Sequence, residues 1–137
     1  MDITNDDASN ITELVDNVLK NVSSNRNFDM LIELDALNRV KRVREGTVSS
    51  GAVTNLARDE QWMTSGGALA LSQTGNWVNH RLDINGDGNF TGTGELDSTN
   101  AFSDANELQT RNTGSTGGVE FTHSYDKVGN QTDDGED

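Results

Sequence analysis

Oxygen-bearing side chains recur at alternate positions in Asp83-Ile84-Asn85-Gly86-Asp87-Gly88-Asn89-Phe90-Thr91. Asp83, Asn85 and Asp87 take the first, third and fifth places of this loop, Gly88 the sixth, Asn89 the seventh and Thr91 the ninth. Calcium is held by about six to eight hard oxygen ligands, and alternate residues of a tight loop can converge on one ion. The candidate ligand set is therefore Asp83, Asn85, Asp87, Asn89, Thr91 and Glu95. The competing reading needs no ion. Asn-Gly and Asp-Gly are strong turn formers, so the segment also reads as an elaborated turn between two strands.

The loop resembles the calcium loops of EF-hand and dockerin modules. It departs from them at the twelfth place, which is Gly94; the nearest carboxylate, Glu95, comes one residue late, with Asp97 beyond it. Both readings stay open at this point, and calcium is the one cofactor the sequence suggests. Other chemistry is sparse. The histidines are His80 and His123, and there is no nucleophile elbow, phosphate loop or paired-histidine metal motif. His123, Ser124 and Asp126 are close in sequence, but adjacent residues of a strand point to opposite faces and do not assemble a triad. No catalytic residue is expected, and the chain is not expected to be an enzyme. The sequons at Asn10, Asn21, Asn89 and Asn130 are what chance gives in a chain rich in Asn, Ser and Thr.

The elements that must position these residues are thin. Hydrophobic residues make up 31% of the 137, below the roughly 45–50% of globular domains even when Gly is added. A layered or repetitive architecture, burying one face at a time, suits that composition better than one thick core. Acids outnumber bases 23 to 10, for a net charge of -13, which disfavours nucleic acid as a partner. The one basic run, Arg39, Lys41, Arg42 and Arg44, alternates with valines and reads as the solvated face of a strand. Without cysteine there is neither a disulfide nor a thiolate metal site. No apolar run reaches the ~18 residues of a membrane span, and the N-terminal residues are acidic rather than signal-like.

One pattern recurs: a large residue, then Asp or Ser, two variable residues, a turn former, a polar residue and usually an apolar one. Its copies are Asn5–Ile11, Leu34–Val40, Leu71–Trp77, Phe102–Leu108 and Tyr125–Gln131. They begin at 5, 34, 71, 102 and 125, so the intervals are 29, 37, 31 and 23. Irregular intervals argue for hairpins of differing length rather than identical rungs. Each copy makes sense as a strand–turn–strand device: Asp or Ser binds the backbone two residues on, and Gly, Asn or Ser supplies a left-handed residue.

Tyr125-Asp126-Lys127-Val128-Gly129-Asn130 resembles the YD-repeat signature of the RHS family, and the other copies resemble its degenerate forms. Only one copy keeps Tyr, and Ser72 and Ser103 replace the Asp. The resemblance implies a mainly β fold, with repeated antiparallel hairpins forming a strip of a larger bacterial shell protein, secreted or on the cell surface, that often encloses an effector. The partners it implies are the remaining repeats of the same or an adjacent polypeptide. On that reading the chain is one segment of degenerate repeats over 1–137, a fragment or split reading frame, with a Gly/Asp-rich loop at 83–97.

Against an all-strand reading, Ile11, Leu14, Val15, Val18, Leu19 and Val22 recur at helical spacing after Asn10, so one short helix over 10–22 is an alternative. Trp62 and Trp77 are expected to be packing residues. Their burial would favour a structural wall. Exposure beside polar side chains would favour a binding module for glycans or a protein surface, stabilised by calcium.

Overall fold

The structure is a computed structural model that describes residues 1–16, 29–113 and 121–135. The chain is mainly β, built of antiparallel hairpins as expected, with no helix among the described residues. Two compact units divide it: Met1–Gln61 with Leu82–Asn89, and Trp62–Arg81 with Phe90–Asp137.

In the first unit, β1 (Asp2–Asn5), β2 (Ile11–Val15), β3 (Asp29–Leu34), β4 (Val40–Ser49) and β5 (Ala52–Gln61) lie side by side in chain order. Ile11 to Val15, the described part of the alternative helix, is strand; residues 17–22 lie outside the described residues. The reason is tertiary. Strand β2 has partners on both sides, with Leu14 opposite Ile3 and Glu13 opposite Leu31, and sheet pairing overrides a short helical periodicity. Val15, Leu31 and Val48 form a small buried cluster with Val53 against it. Every cation of the basic run meets a carboxylate. Arg39 meets Asp35, Lys41 and Arg44 meet Glu33, and Arg42 makes a forked pair with buried Asp59 at 2.9 and 2.6 Å.

Strand β6 (Asn79–Asp83) carries the chain between the units. In the second unit β7 (Leu96–Phe102), β8 (Leu108–Asn112) and β9 (Phe121–Thr122) follow in chain order, and β10 (Ser124–Tyr125) pairs with β11 (Gln131–Asp133).

All five heptads are found at reversals of the chain, and they share one hydrogen-bond pattern. In Leu34–Val40, the Asp35 amide donates to the Arg39 carbonyl at 2.8 Å and the Asn38 amide to the Asp35 carbonyl at 3.0 Å. Asp35 Oδ1 then accepts from the amides of Leu37 and Arg39 at 2.8 and 2.9 Å. The fifth residue is left-handed throughout: Ser9, Asn38, Gly75, Asn106 and Gly129, with φ between 60° and 89°. This is a type I turn closed by a left-handed residue, a common three-residue hairpin connection. The second residue supplies its side-chain oxygen in every copy, whether Asp6, Asp35, Ser72, Ser103 or Asp126. Ser therefore replaces Asp without changing the geometry.

A sixth corner, not evident from the heptad pattern, spans Met63-Thr64-Ser65-Gly66-Gly67-Ala68-Leu69. Thr64 Oγ1 accepts from the Ala68 amide at 3.2 Å, and Gly67 is left-handed. Strands β4 and β5 turn differently, on the two left-handed residues Ser50 and Gly51. Four corners also share an irregularity beyond the turn. Asn5 faces Ile11 but Thr4 faces Glu13, which leaves Thr12 over; Lys41, Gln109 and Thr132 are left over in the same way.

The corner carboxylates carry a pH signature. The Asn10 side-chain amide holds the Asp6 carboxyl below its ordinary value of 3.8, and the Asn130 side-chain amide does the same for Asp126. At Asp35 desolvation works the other way, but hydrogen bonds from Arg39 outweigh it and the carboxyl again lies low. A depressed folded-state value means stability that is complete above about 3.8 and is lost as pH falls through the lower folded value. Thermal scans below pH 4 should show this loss. The triple variant Asp6→Ser, Asp35→Ser, Asp126→Ser should keep the fold at pH 7 and flatten the acid-side decline; an unchanged decline would show that other carboxylates cause it.

Candidate functional site

The 83–95 loop leaves β6 at Asp83, the most buried carboxylate of the described residues, at 0% exposure. Both its oxygens are used inside the loop. Oδ1 accepts from the amides of Asn85 and Gly86 at 3.1 and 2.7 Å, and Oδ2 from the amide of Gly88 at 2.8 Å. Asn85 Oδ1 then takes the Asp87 amide, and Asp87 Oδ1 takes the Asn89 amide, each at 2.8 Å. The result is a ladder in which each oxygen-bearing side chain bonds the backbone two residues on, the habit of Asn and Asp in turns. Asp83 Oδ2 and Asp87 Oδ1 each accept a single amide and keep a second lone pair, so the ladder also orients these oxygens for a cation.

Asp83, Asn85, Asp87 and Asn89 belong to the first unit, and Thr91 and Glu95 to the second. Within the second unit Glu95 Oε2 accepts from the Gly92 amide at 2.7 Å. Gly86 fixes the loop from the other side. Its φ is +76°, and a Cβ there would lie well inside van der Waals contact of the Leu56 carbonyl oxygen on β5.

The remaining chemistry-bearing residues serve structure. The side-chain amides of Asn10 and Asn130 donate to Asp6 and Asp126, and the Asn21 sequon lies outside the described residues. His123 Nδ1 lies 3.1 Å from Gln131 Nε2, and Asp126 serves its corner amides.

The second unit holds an arrangement that includes Trp62 and Trp77, both expected to be packing residues. Trp77 is 52% exposed rather than packed away. It ends the third heptad, where only the single bridge Leu71–Trp77 flanks the turn, too little sheet to cover an indole. His80 stacks parallel on Trp62, with ring centres 5.5 Å apart, and Trp77 leans on both at 5.6 and 6.1 Å. Trp77 and His80 line an open groove of about 370 Å³ with Phe102 and Leu108, the first and last residues of the fourth heptad. Asn76, Ser98, Asn100 and Arg111 add polar groups. The Asn100 amide nitrogen donates to the Trp77 carbonyl at 2.7 Å, while its oxygen is buried with no hydrogen-bond partner. Across the rim, Thr74 Oγ1 and Asn76 Nδ2 both donate to Asn106 Oδ1 at 3.0 Å, tying the 71–77 corner to the 102–108 corner. The only advance signal was an aromatic residue at heptad ends.

Compared with protein-family models, curated proteins and solved structures, the chain matches none.

Proposed function

We propose that this chain is a non-catalytic structural segment of a larger secreted or cell-surface repeat protein of the RHS/YD type, contributing a strip of β-hairpin wall. The observation that carries this reading is the repetition of one corner. Six reversals use the same turn, a side-chain oxygen acceptor at the same second position and a left-handed residue at the fifth, joining hairpins of unequal length. Remaining repeats of the same or an adjacent polypeptide are the partners such a strip requires, because edge strands pair readily with further chain.

Stability in a repeat strip grows as units are added. Appending a duplicate of residues 29–61 should therefore raise both the thermal midpoint and the denaturant m-value. A duplicate that stays unfolded, leaving the parent's midpoint and m-value unchanged, would count against the wall.

A second reading, a carbohydrate-binding module, is favoured by the exposed Trp77 beside the amides of Asn76 and Asn100. Calcium belongs to the proposal as a stabiliser of the 83–89 ladder, because Asp83 is a fully buried carboxylate whose hydrogen-bond partners are backbone amides.

A further inference from the structure

We propose that the groove between the 71–77 and 102–108 corners binds an acidic sugar, a pyranose bearing a carboxylate, with Trp77 under the ring and Arg111 on the acid. The proposal rests on the carbohydrate reading and specifies its ligand.

The groove combines three complementary features. Its floor is aromatic and apolar, from Trp77, His80, Phe102 and Leu108. The C–H face of a pyranose packs on such rings, which offer large rigid area at little conformational cost. Amide groups stand at the rim, and the buried Asn100 oxygen lacks a hydrogen-bond partner. Rim amides such as that of Asn76 offer hydrogen-bond partners to sugar hydroxyls, whereas the Asn100 oxygen is closed to solvent.

The third feature is charge. Arg39, Lys41, Arg42, Arg44, Arg58 and Arg81 are each tied to an acid. Exposed Arg111 makes no ion pair with any described residue, yet it lines the groove. A guanidinium binds a carboxylate in a two-pronged geometry that a neutral sugar cannot use. The net charge of -13 repels anions at long range, but beyond about 8 Å that repulsion is largely screened at physiological salt. Contact with Arg111 is closer than that. The volume of about 370 Å³ suits one or two sugar rings.

The test uses the full chain, isothermal calorimetry and tryptophan fluorescence. The probes are a galacturonic acid disaccharide and the matching neutral galactose disaccharide. The uronate should bind saturably and quench tryptophan emission, at least about tenfold more tightly than the neutral sugar. Arg111→Gln should remove that preference and leave neutral binding unchanged. Trp77→Ala should abolish binding of both, and Trp77→Phe should restore much of it, which separates a stacking role from damage to the fold. Equal binding of the two sugars, or indifference to Arg111→Gln, overturns the acidic specificity while the carbohydrate reading stands. No saturable response to either sugar overturns both.

Discussion

Gly86→Ala should lower the thermal midpoint of the first unit by roughly 15 °C, a loss of about 3 kcal/mol. Two costs combine. A left-handed conformation costs an L-residue roughly 1–2 kcal/mol, and Gly86 sits at φ +76°. The added methyl also collides with the Leu56 carbonyl, which is backbone and cannot swing aside. Overpacking of this kind costs about 1–3 kcal/mol. The loss is capped by what docking of the loop on β5 contributes, since the chain can release the loop rather than tolerate the collision. Chemical denaturation of Gly86→Ala beside a Gly88→Ala control isolates the contact. Gly88 is equally left-handed, at φ +83°, but a Cβ there meets nothing within 4 Å. If both variants lose the same stability, conformation alone is responsible and the Leu56 contact counts for nothing.

The second large effect is expected at Asp83. Asp83→Ala strips acceptors from three amides in one step. Hydrogen bonds to a charged group are each worth about 1.5–3 kcal/mol, and the three act as a unit. A total of about 3–4 kcal/mol is the expectation. Asp83→Asn keeps one acceptor oxygen but turns an amide toward a donor, so it should cost less. The double variant Gly86→Ala, Asp83→Ala should lose well under the sum of the two, because a loop already released has little further to lose. Full additivity would mean that the two residues hold different things.

The same variants settle the ion. Calcium at ten times its dissociation constant adds roughly 1.4 kcal/mol to a protein that binds it only when folded. The parent should gain that stabilisation in millimolar calcium, with saturable heat on titration, and Asp83→Ala should not. A parent that gives no heat has a turn there and nothing more.

How far the sequence could be read depends on the range of the interactions involved. The corners were legible because one Asp or Ser, one left-handed residue and two flanking packers make the whole device within seven residues. The corner at 63–69 escaped notice because Thr64 stands where Asp or Ser was sought, although Gly67 marked the turn. The Ser50–Gly51 reversal uses another chemistry altogether. Ile11 to Val15 could not be settled locally, since the partners that make it a strand, Ile3 and Leu31, lie elsewhere in the chain. The groove was the least visible feature. Trp77 and Phe102 are 25 positions apart, and neither residue type says that the 71–77 and 102–108 corners adjoin. Likewise, nothing in Asn85-Gly86 announces that a carbonyl of β5 presses against it.

The leftover residue after each of four turns has a practical corollary. A strand's outward and inward faces alternate, so inserting one residue in an arm would turn every later side chain over. Here the odd residue is absorbed at a fixed place, beside the corner, where a bulge tolerates it. Arms can then grow or shrink two residues at a time without re-aiming the side chains beyond them, and the unequal spacing of the corners is what such freedom leaves behind. For protein engineers this makes each arm a natural graft point: binding segments of even length should be accepted there, and odd ones rejected.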